Sequence, residues 1–205
     1  MRWVFRLVQY LIQLGFRLWF RLQVHGRENI PKRGKLIFAA NHISAIDPFV
    51  IGSFVPRSLY FLAKKELFQN PLLAALFRFL QAIPLDRREV SHGMVRRVNQ
   101  LLAKGEAVLL FPEGTRTRTG QMGEGKSGVG MFAAMNGADI MPVRIEGLSD
   151  QPGAFRWGAG VKVFFGPVIS VAPFLQNGAA SKEMYREIAA LVLNRIQAIE
   201  TAPVL

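Results

Sequence analysis

Leu36-Ile37-Phe38-Ala39-Ala40-Asn41-His42-Ile43-Ser44-Ala45-Ile46-Asp47-Pro48 reads as a buried strand that stops at a polar cluster and hands over to a helix. The apolar run from Leu36 to Ala40 suits a strand covered on both faces, as in sheets with helical crossovers. An imidazole and a carboxylate follow five positions apart, at His42 and Asp47. Such a pair is a base with an acid able to orient it. Open α/β sheets hold their ligands beyond the carboxyl ends of the strands, which is where His42 falls. Asp47 before Pro48 also has the form of a helix N-cap with proline at the first helical position. A helix dipole favours an ionised carboxylate there, so the two roles are compatible.

The alternation of short apolar runs with helical patterns continues along the chain. Strands are expected at 22–25, 35–40, 59–62, 82–85, 107–111, 140–145 and 161–165. Helices are expected at 48–54, 72–80, 92–104, 127–135 and 182–199, with Gly105 and Gly137 as stops. Residues 147–160 read as a loop. The expected fold is a single α/β domain, a mostly mixed or parallel sheet flanked by helices, over 24–205, preceded by an amphipathic membrane-interface helix over 1–23. A chain of 205 residues buries a core large enough to fold without disulfides or a structural metal.

Half of the residues are hydrophobic (50%) while the formal charge is +12. This pairing fits anionic lipid surfaces, lipid phosphates or acidic acyl carriers. Nucleic acid is the alternative partner for such charge, but no recognition helix, zinc finger or RNA-binding motif accompanies it, so none is expected. Without cysteine, thiol nucleophiles and thiolate metal sites are excluded, and the three histidines are scattered, so no metal is expected. No Gly-x-Ser-x-Gly nucleophile elbow occurs, which leaves His42 as the candidate centre.

At the amino terminus Arg2, Arg6, Gln9, Gln13, Arg17 and Arg21 recur every three or four residues. That period makes one polar helical stripe on an otherwise apolar surface carrying Trp3 and Trp19. The pattern predicts a helix lying in the membrane interface with its arginines toward lipid phosphates. A spanning helix needs about 20 mostly apolar residues. Here the longest uncharged stretch runs only from Leu7 to Phe16, so an in-plane position is expected. A secretory signal fits poorly, because Arg6 and Arg17 break the apolar region and no small-residue cleavage pattern follows.

Two further polar clusters follow expected strands, Asp86-Arg87 after Ala82-Ile83-Pro84-Leu85, and Glu113-Gly114-Thr115-Arg116 after Phe111-Pro112. With His42 to Asp47 and with Met141-Pro142-Val143, they resemble in order and spacing the four sequence blocks of the glycerolipid acyltransferase family, best known for 1-acylglycerol-3-phosphate acyltransferases. The resemblance covers about residues 22–170 and is most specific in the first and third blocks.

The resemblance implies transfer of a fatty acyl group from a thioester to the free hydroxyl of a lysophospholipid, with phosphatidic acid as product. His42 would take the hydroxyl proton and Asp47 would orient it. Arg116, Arg87, Glu113, Gly114 and Thr115 would contribute to the acceptor phosphate site, Glu113 less as a catalyst than as an organiser of Arg116 and the turn. Apart from the resemblance, Lys126 at an expected helix start can attract an acyl-donor phosphate or the acceptor headgroup. The block around Pro142 would shape the donor or acyl side. No cofactor is implied; acyl-coenzyme A or an acyl carrier protein serves as co-substrate. The cytoplasmic face of the cell membrane is the expected location, with anionic lipids as partners. Arginine suits a phosphate because its planar fork donates paired hydrogen bonds.

The same chemistry on another lysophospholipid, an ornithine-type lipid or glycerol 3-phosphate is an alternative, and a catalytically silent lipid-binding protein is another. The chain departs from the family pattern at Arg144, a charge inside an expected strand, and at Thr117, where many members carry serine. Lys64 and Lys65 resemble a lysine-bearing family segment. Gly120-Gln121-Met122-Gly123-Glu124-Gly125-Lys126-Ser127 matches the P-loop pattern letter for letter. Its context does not fit, because a P-loop leaves a strand and enters a helix directly.

Overall fold

The computed structural model describes residues 2–86, 92–117, 122–123, 125–149, 158, 160–176 and 180–199. Helix α1 (Arg2–Phe20) leads into strand β1 (Gln23–His25) and then into β2 (Leu36–Ala40), α2 (Asp47–Phe54) and β3 (Leu59–Lys64). After them come α3 (Pro71–Phe79), β4 (Ala82–Leu85), α4 (His92–Ala103), β5 (Ala107–Leu110) and α5 (Gly128–Asn136). The described chain continues through β6 (Asp139–Glu146), β7 (Lys162–Phe165), α6 (Ala172–Leu175) and α7 (Lys182–Gln197).

The strands form one mixed sheet in the order β1-β7-β6-β2-β5-β3-β4. Pairing is parallel from β6 through β2, β5 and β3 to β4, and β7 runs antiparallel to β6 while parallel to β1. In β2, flanked by β5 and β6, every residue is buried. Its side chains alternate between layers: Leu36, Phe38 and Ala40 join α2, and Ile37 and Ala39 join α4, α5 and α7. Burial on both faces is why the run Leu36 to Ala40 carries no polar residue.

The helix ends follow local chemistry. Asn70 accepts from Leu72 and Leu73 N–H at the start of α3, with Pro71 at the first turn. Ser181 accepts from Met184 N–H at the start of α7. Gly137, at φ 56°, closes α5 in the left-handed conformation expected of a glycine stop.

Several expectations are corrected. Strand β3 continues to Lys64, and β5 ends at Leu110, leaving Phe111 to the turn that follows. Asp47 is the first helical residue, and Ile46 takes the cap position without a side-chain cap bond. The carboxylate is drawn backward to the N–H groups of Ile43 and Ser44, so it fixes the preceding turn rather than capping its own helix. Arg144 pairs with Glu146 at 2.7 Å and donates to Gln197 O at 2.8 Å, which ties β6 to the end of α7 and accounts for a charge inside a strand. Most of 147–160 lies outside the described residues, as do Gly120, Gln121 and Glu124 of the P-loop-like segment and Arg87.

Helix α1 departs from expectation at two residues of its polar stripe, Gln9 and Gln13, which face the domain while Arg6 and Arg17 stay exposed. Gln9 Nε2 donates to Gly52 O (2.8 Å) and Val55 O (2.9 Å), and Gln13 Nε2 donates to Ser53 O. Arg27 Nε donates to Phe54 O at 2.9 Å, and the Arg17 guanidinium lies over the Phe54 ring at 5.5 Å. The carbonyls at the end of α2, which have no partners within the helix, are therefore satisfied largely from α1. Its apolar side faces outward: Trp3, Leu7, Tyr10, Leu11, Leu14, Leu18 and Trp19 are all exposed. No described helix is long and apolar enough to cross a membrane.

Candidate active site

β2 ends at Ala40, and Asn41 continues its pairing through its side chain, accepting from Ile145 N–H and donating to Ile145 O, each at 2.8 Å. This bond pair fixes the chain at the point where His42 leaves the sheet. His42 Nδ1 lies 2.8 Å from Asp47 Oδ2, which also accepts from Ile43 N–H at 2.7 Å and Ser44 N–H at 2.9 Å. Asp47 is fully buried and His42 nearly so. Asp47 Oδ1 meets no donor among the described residues, so Oδ2 makes every described bond of the carboxylate.

An ionised carboxylate oxygen can only accept, so with Oδ2 as partner Nδ1 carries the imidazole proton and Nε2 keeps its lone pair. The ring is held flat against Phe111, with centroids 3.9 Å apart and planes 18° apart. Rotation of the ring would cost both this stack and the Asp47 bond. The spacing of the pair follows from local geometry: one turn after β2 brings Asp47 at the start of α2 back over His42.

Glu113 binds the second cluster to the first. Its Oε1 accepts from His42 N–H (3.3 Å), and its Oε2 accepts from Gly123 N–H (3.0 Å) and the Thr117 hydroxyl. Thr117 N–H donates to His42 O at 2.7 Å, and Lys126 N–H to Pro112 O at 2.8 Å. Both oxygens of this buried carboxylate are thus engaged by the protein, and a carboxylate would repel a phosphate. Glu113 ties the backbone of His42 to the loop that carries Arg116 and Thr117.

His42, Arg116 and Lys64 line one open cleft, enclosing about 780 Å³ with the solvent at its mouth. The rest of its lining is mainly apolar, including Ile46, Phe49, Phe61, Leu62, Leu67 and Phe77. Gly114 and Thr115 are exposed on the turn beside it. Gly114 has φ +69°, a left-handed conformation that favours glycine, and the Lys126 side chain passes close by, its Nζ 3.1 Å from where a β-carbon would stand. Lys65 pairs with Asp86, whose hydrogen bond and charge raise the ammonium above its ordinary value. Pro142 is buried in β6 and does not line the cleft. A base, two cations and an apolar trough in one cleft can seat an anionic, lipid-like molecule with a hydroxyl at the base.

The sequence did not assign roles to Asn41, Phe111 or Gly123. An amide directly after an apolar strand and an aromatic directly before Pro112 were the available signals; Gly123 left none.

Residues 21–146 match the family model described as Acyltransferase. A 1-acyl-sn-glycerol-3-phosphate acyltransferase of Bacillus subtilis is 29% identical over 180 residues, covering 87% of this chain and 88% of that protein. The chloroplastic enzyme of that name from Arabidopsis thaliana is 29% identical over 131 residues, covering 62% of this chain and only 36% of its own length. The crystal structure of the 1-acyl-sn-glycerophosphate acyltransferase of Thermotoga maritima superposes with a TM-score of 0.78 at 27% identity, covering 100% of this chain and 83% of that one. With the matched segment holding His42, Asp47 and the Glu113 to Arg116 turn, the chain belongs to the acyltransferase family.

Proposed function

We propose that this chain moves a fatty acyl group from a thioester, acyl-coenzyme A or an acyl carrier protein, to the free hydroxyl of 1-acyl-sn-glycerol 3-phosphate. The observation that carries the reading is the buried His42–Asp47 pair opening on an apolar cleft that also holds Arg116. A hydroxyl is too weak an acid to attack unaided, and a positioned base contributes roughly 10²- to 10⁴-fold. Nε2 takes the hydroxyl proton as the oxygen adds to the thioester carbonyl. The imidazolium that forms is stabilised by Asp47 across the 2.8 Å bond. Collapse of the tetrahedral adduct breaks the carbon–sulfur bond, and the same proton passes from Nε2 to the leaving thiolate. Atoms and charge balance with no redox step, and no covalent acyl-enzyme is required when all three groups meet in one complex.

Arg116, with Lys64 and Lys126 nearby, supplies positive charge for the acceptor phosphate. Phe49, Phe61 and Phe77 offer apolar surface to an acyl chain. Helix α1 lies in the membrane interface, its outward tryptophans and leucines among the lipids and its glutamines holding α2. Lipid acceptors would then reach the cleft from the bilayer.

The test is acyl transfer from a long-chain acyl-coenzyme A to 1-acylglycerol 3-phosphate in detergent micelles, following thiol release and lipid product. Wild type should form product and His42→Ala should not. Absence of product from wild type with both donor types and with other lysolipid acceptors would overturn the proposal.

A further inference from the structure

Helix α3 buries only Ala74. Leu72 is 82% exposed, Leu73 43% and Leu76 50%, with Arg78 exposed beside them. A short helix whose leucines face solvent contributes little to its own fold, so its sequence answers to something outside the chain. Its location narrows what that is. Leu80, just past the end of α3, lines a second cavity together with Val8 and Ile12 of α1. That cavity shares Pro48, Phe49 and Phe61 with the catalytic cleft, to which α3 contributes Phe77. Helices α1 and α3 therefore stand beside two adjoining apolar cavities, termed the apolar passage, and each turns leucines outward next to arginines, Arg6 and Arg17 on α1 and Arg78 on α3.

We propose that α3 is a second membrane foot: Leu72, Leu73 and Leu76 insert into a bilayer bearing anionic headgroups while Arg78 meets the phosphates. Two feet on either side of the passage fix the tilt of the domain, which one in-plane helix leaves free to roll. The cleft mouth is thereby held against the lipid surface. The bilayer is favoured over a protein partner because the helix that bears these leucines also lends Phe77 to the apolar cleft holding His42, and because the chain carries a charge of +12. This inference rests on the proposed acylation of a membrane lipid.

The chain has no cysteine, so single-cysteine variants can each carry one environment-sensitive fluorophore. Leu72→Cys and Leu76→Cys are compared with Leu11→Cys on α1 and with Met135→Cys, exposed on α5. On addition of phosphatidylglycerol–phosphatidylethanolamine vesicles to the full chain, probes at 72, 76 and 11 should shift to the blue and the probe at 135 should not. Leu72→Ser/Leu73→Ser/Leu76→Ser should weaken vesicle binding about 10²-fold or more, from the apolar area withdrawn, with acyl transfer in micelles unchanged. A response at 11 with none at 72 and 76 overturns the second foot while leaving the α1 reading in place. A shift at 72 and 76 caused by unlabelled chain without vesicles would identify a contact between copies and overturn it as well. Loss of micellar activity in wild type would instead count against the acyl-transfer reading itself.

Discussion

Replacing Glu113 by glutamine separates an organising carboxylate from a substrate-binding one. The wild-type side chain accepts three bonds, from His42 N–H at 3.3 Å, Gly123 N–H at 3.0 Å and the Thr117 hydroxyl. Glutamine retains a single acceptor oxygen. If it faces Gly123 and Thr117, the amide nitrogen meets the His42 N–H, donor against donor. An unmade buried bond costs about 1–3 kcal/mol, and bonds to a charged acceptor are the stronger ones. One lost bond and two weakened ones amount to roughly 2–4 kcal/mol. For a domain of this size each kcal/mol lowers Tm by about 2–4 °C, so Tm should fall by roughly 5–15 °C. Because the lost bond holds the backbone of His42, kcat should fall too, by about 10- to 100-fold for a sub-ångström misplacement of the base. Thermal unfolding and steady-state kinetics with variable acceptor check both effects. An unchanged Tm with the whole defect in the acceptor KM would refute the organising role and make Glu113 a substrate contact.

Asp47→Asn should keep the fold but present a neutral partner that no longer holds the imidazole in one tautomer, lowering kcat by roughly 10²- to 10⁴-fold with little change in KM; a pH–rate profile identical to wild type would contradict this. Arg116→Ala should raise the acceptor KM about 10- to 100-fold, the value of a charged hydrogen bond, and Arg116→Lys should restore only part of it. Gln9→Leu/Gln13→Leu leaves the carbonyls of Gly52, Ser53 and Val55 without these donors and should cost about 1–3 kcal/mol in urea unfolding. Burial, and then the charge of Glu106, raise the Tyr60 phenol above its ordinary value of 10.0. Between that value and the raised one the unfolded chain has lost a proton the native chain keeps, so stability should fall as pH rises through the window, and Tyr60→Phe should flatten the slope measured in urea from about pH 9 to 11.

The α/β alternation was legible because each strand of the sheet interior is a nearly unbroken apolar run and because α4 and α5 run into glycine stops at Gly105 and Gly137. Edges were less legible. β5 ends at Leu110, and Phe111 beyond it stacks on His42, a contact between segments far apart in the chain. The direction of α1 was misjudged at Gln9 and Gln13, since periodicity reports that a helix has a polar stripe and not which neighbour the stripe meets. Gln9 and Gln13 turn inward because the end of α2 offers carbonyls without helical partners, while Arg6 and Arg17 of the same stripe stay exposed.

His42 and Asp47 were determined as a pair by sequence alone, because five residues of local chain span a single turn and no distant element has to cooperate. The contact of Glu113 with His42 was decided only by tertiary structure. Thr117 and Gly123 lie on the same loop as Glu113, but His42 N–H reaches it because β2 and β5 are adjacent in the sheet, and strand adjacency arises from long-range packing that no local pattern encodes.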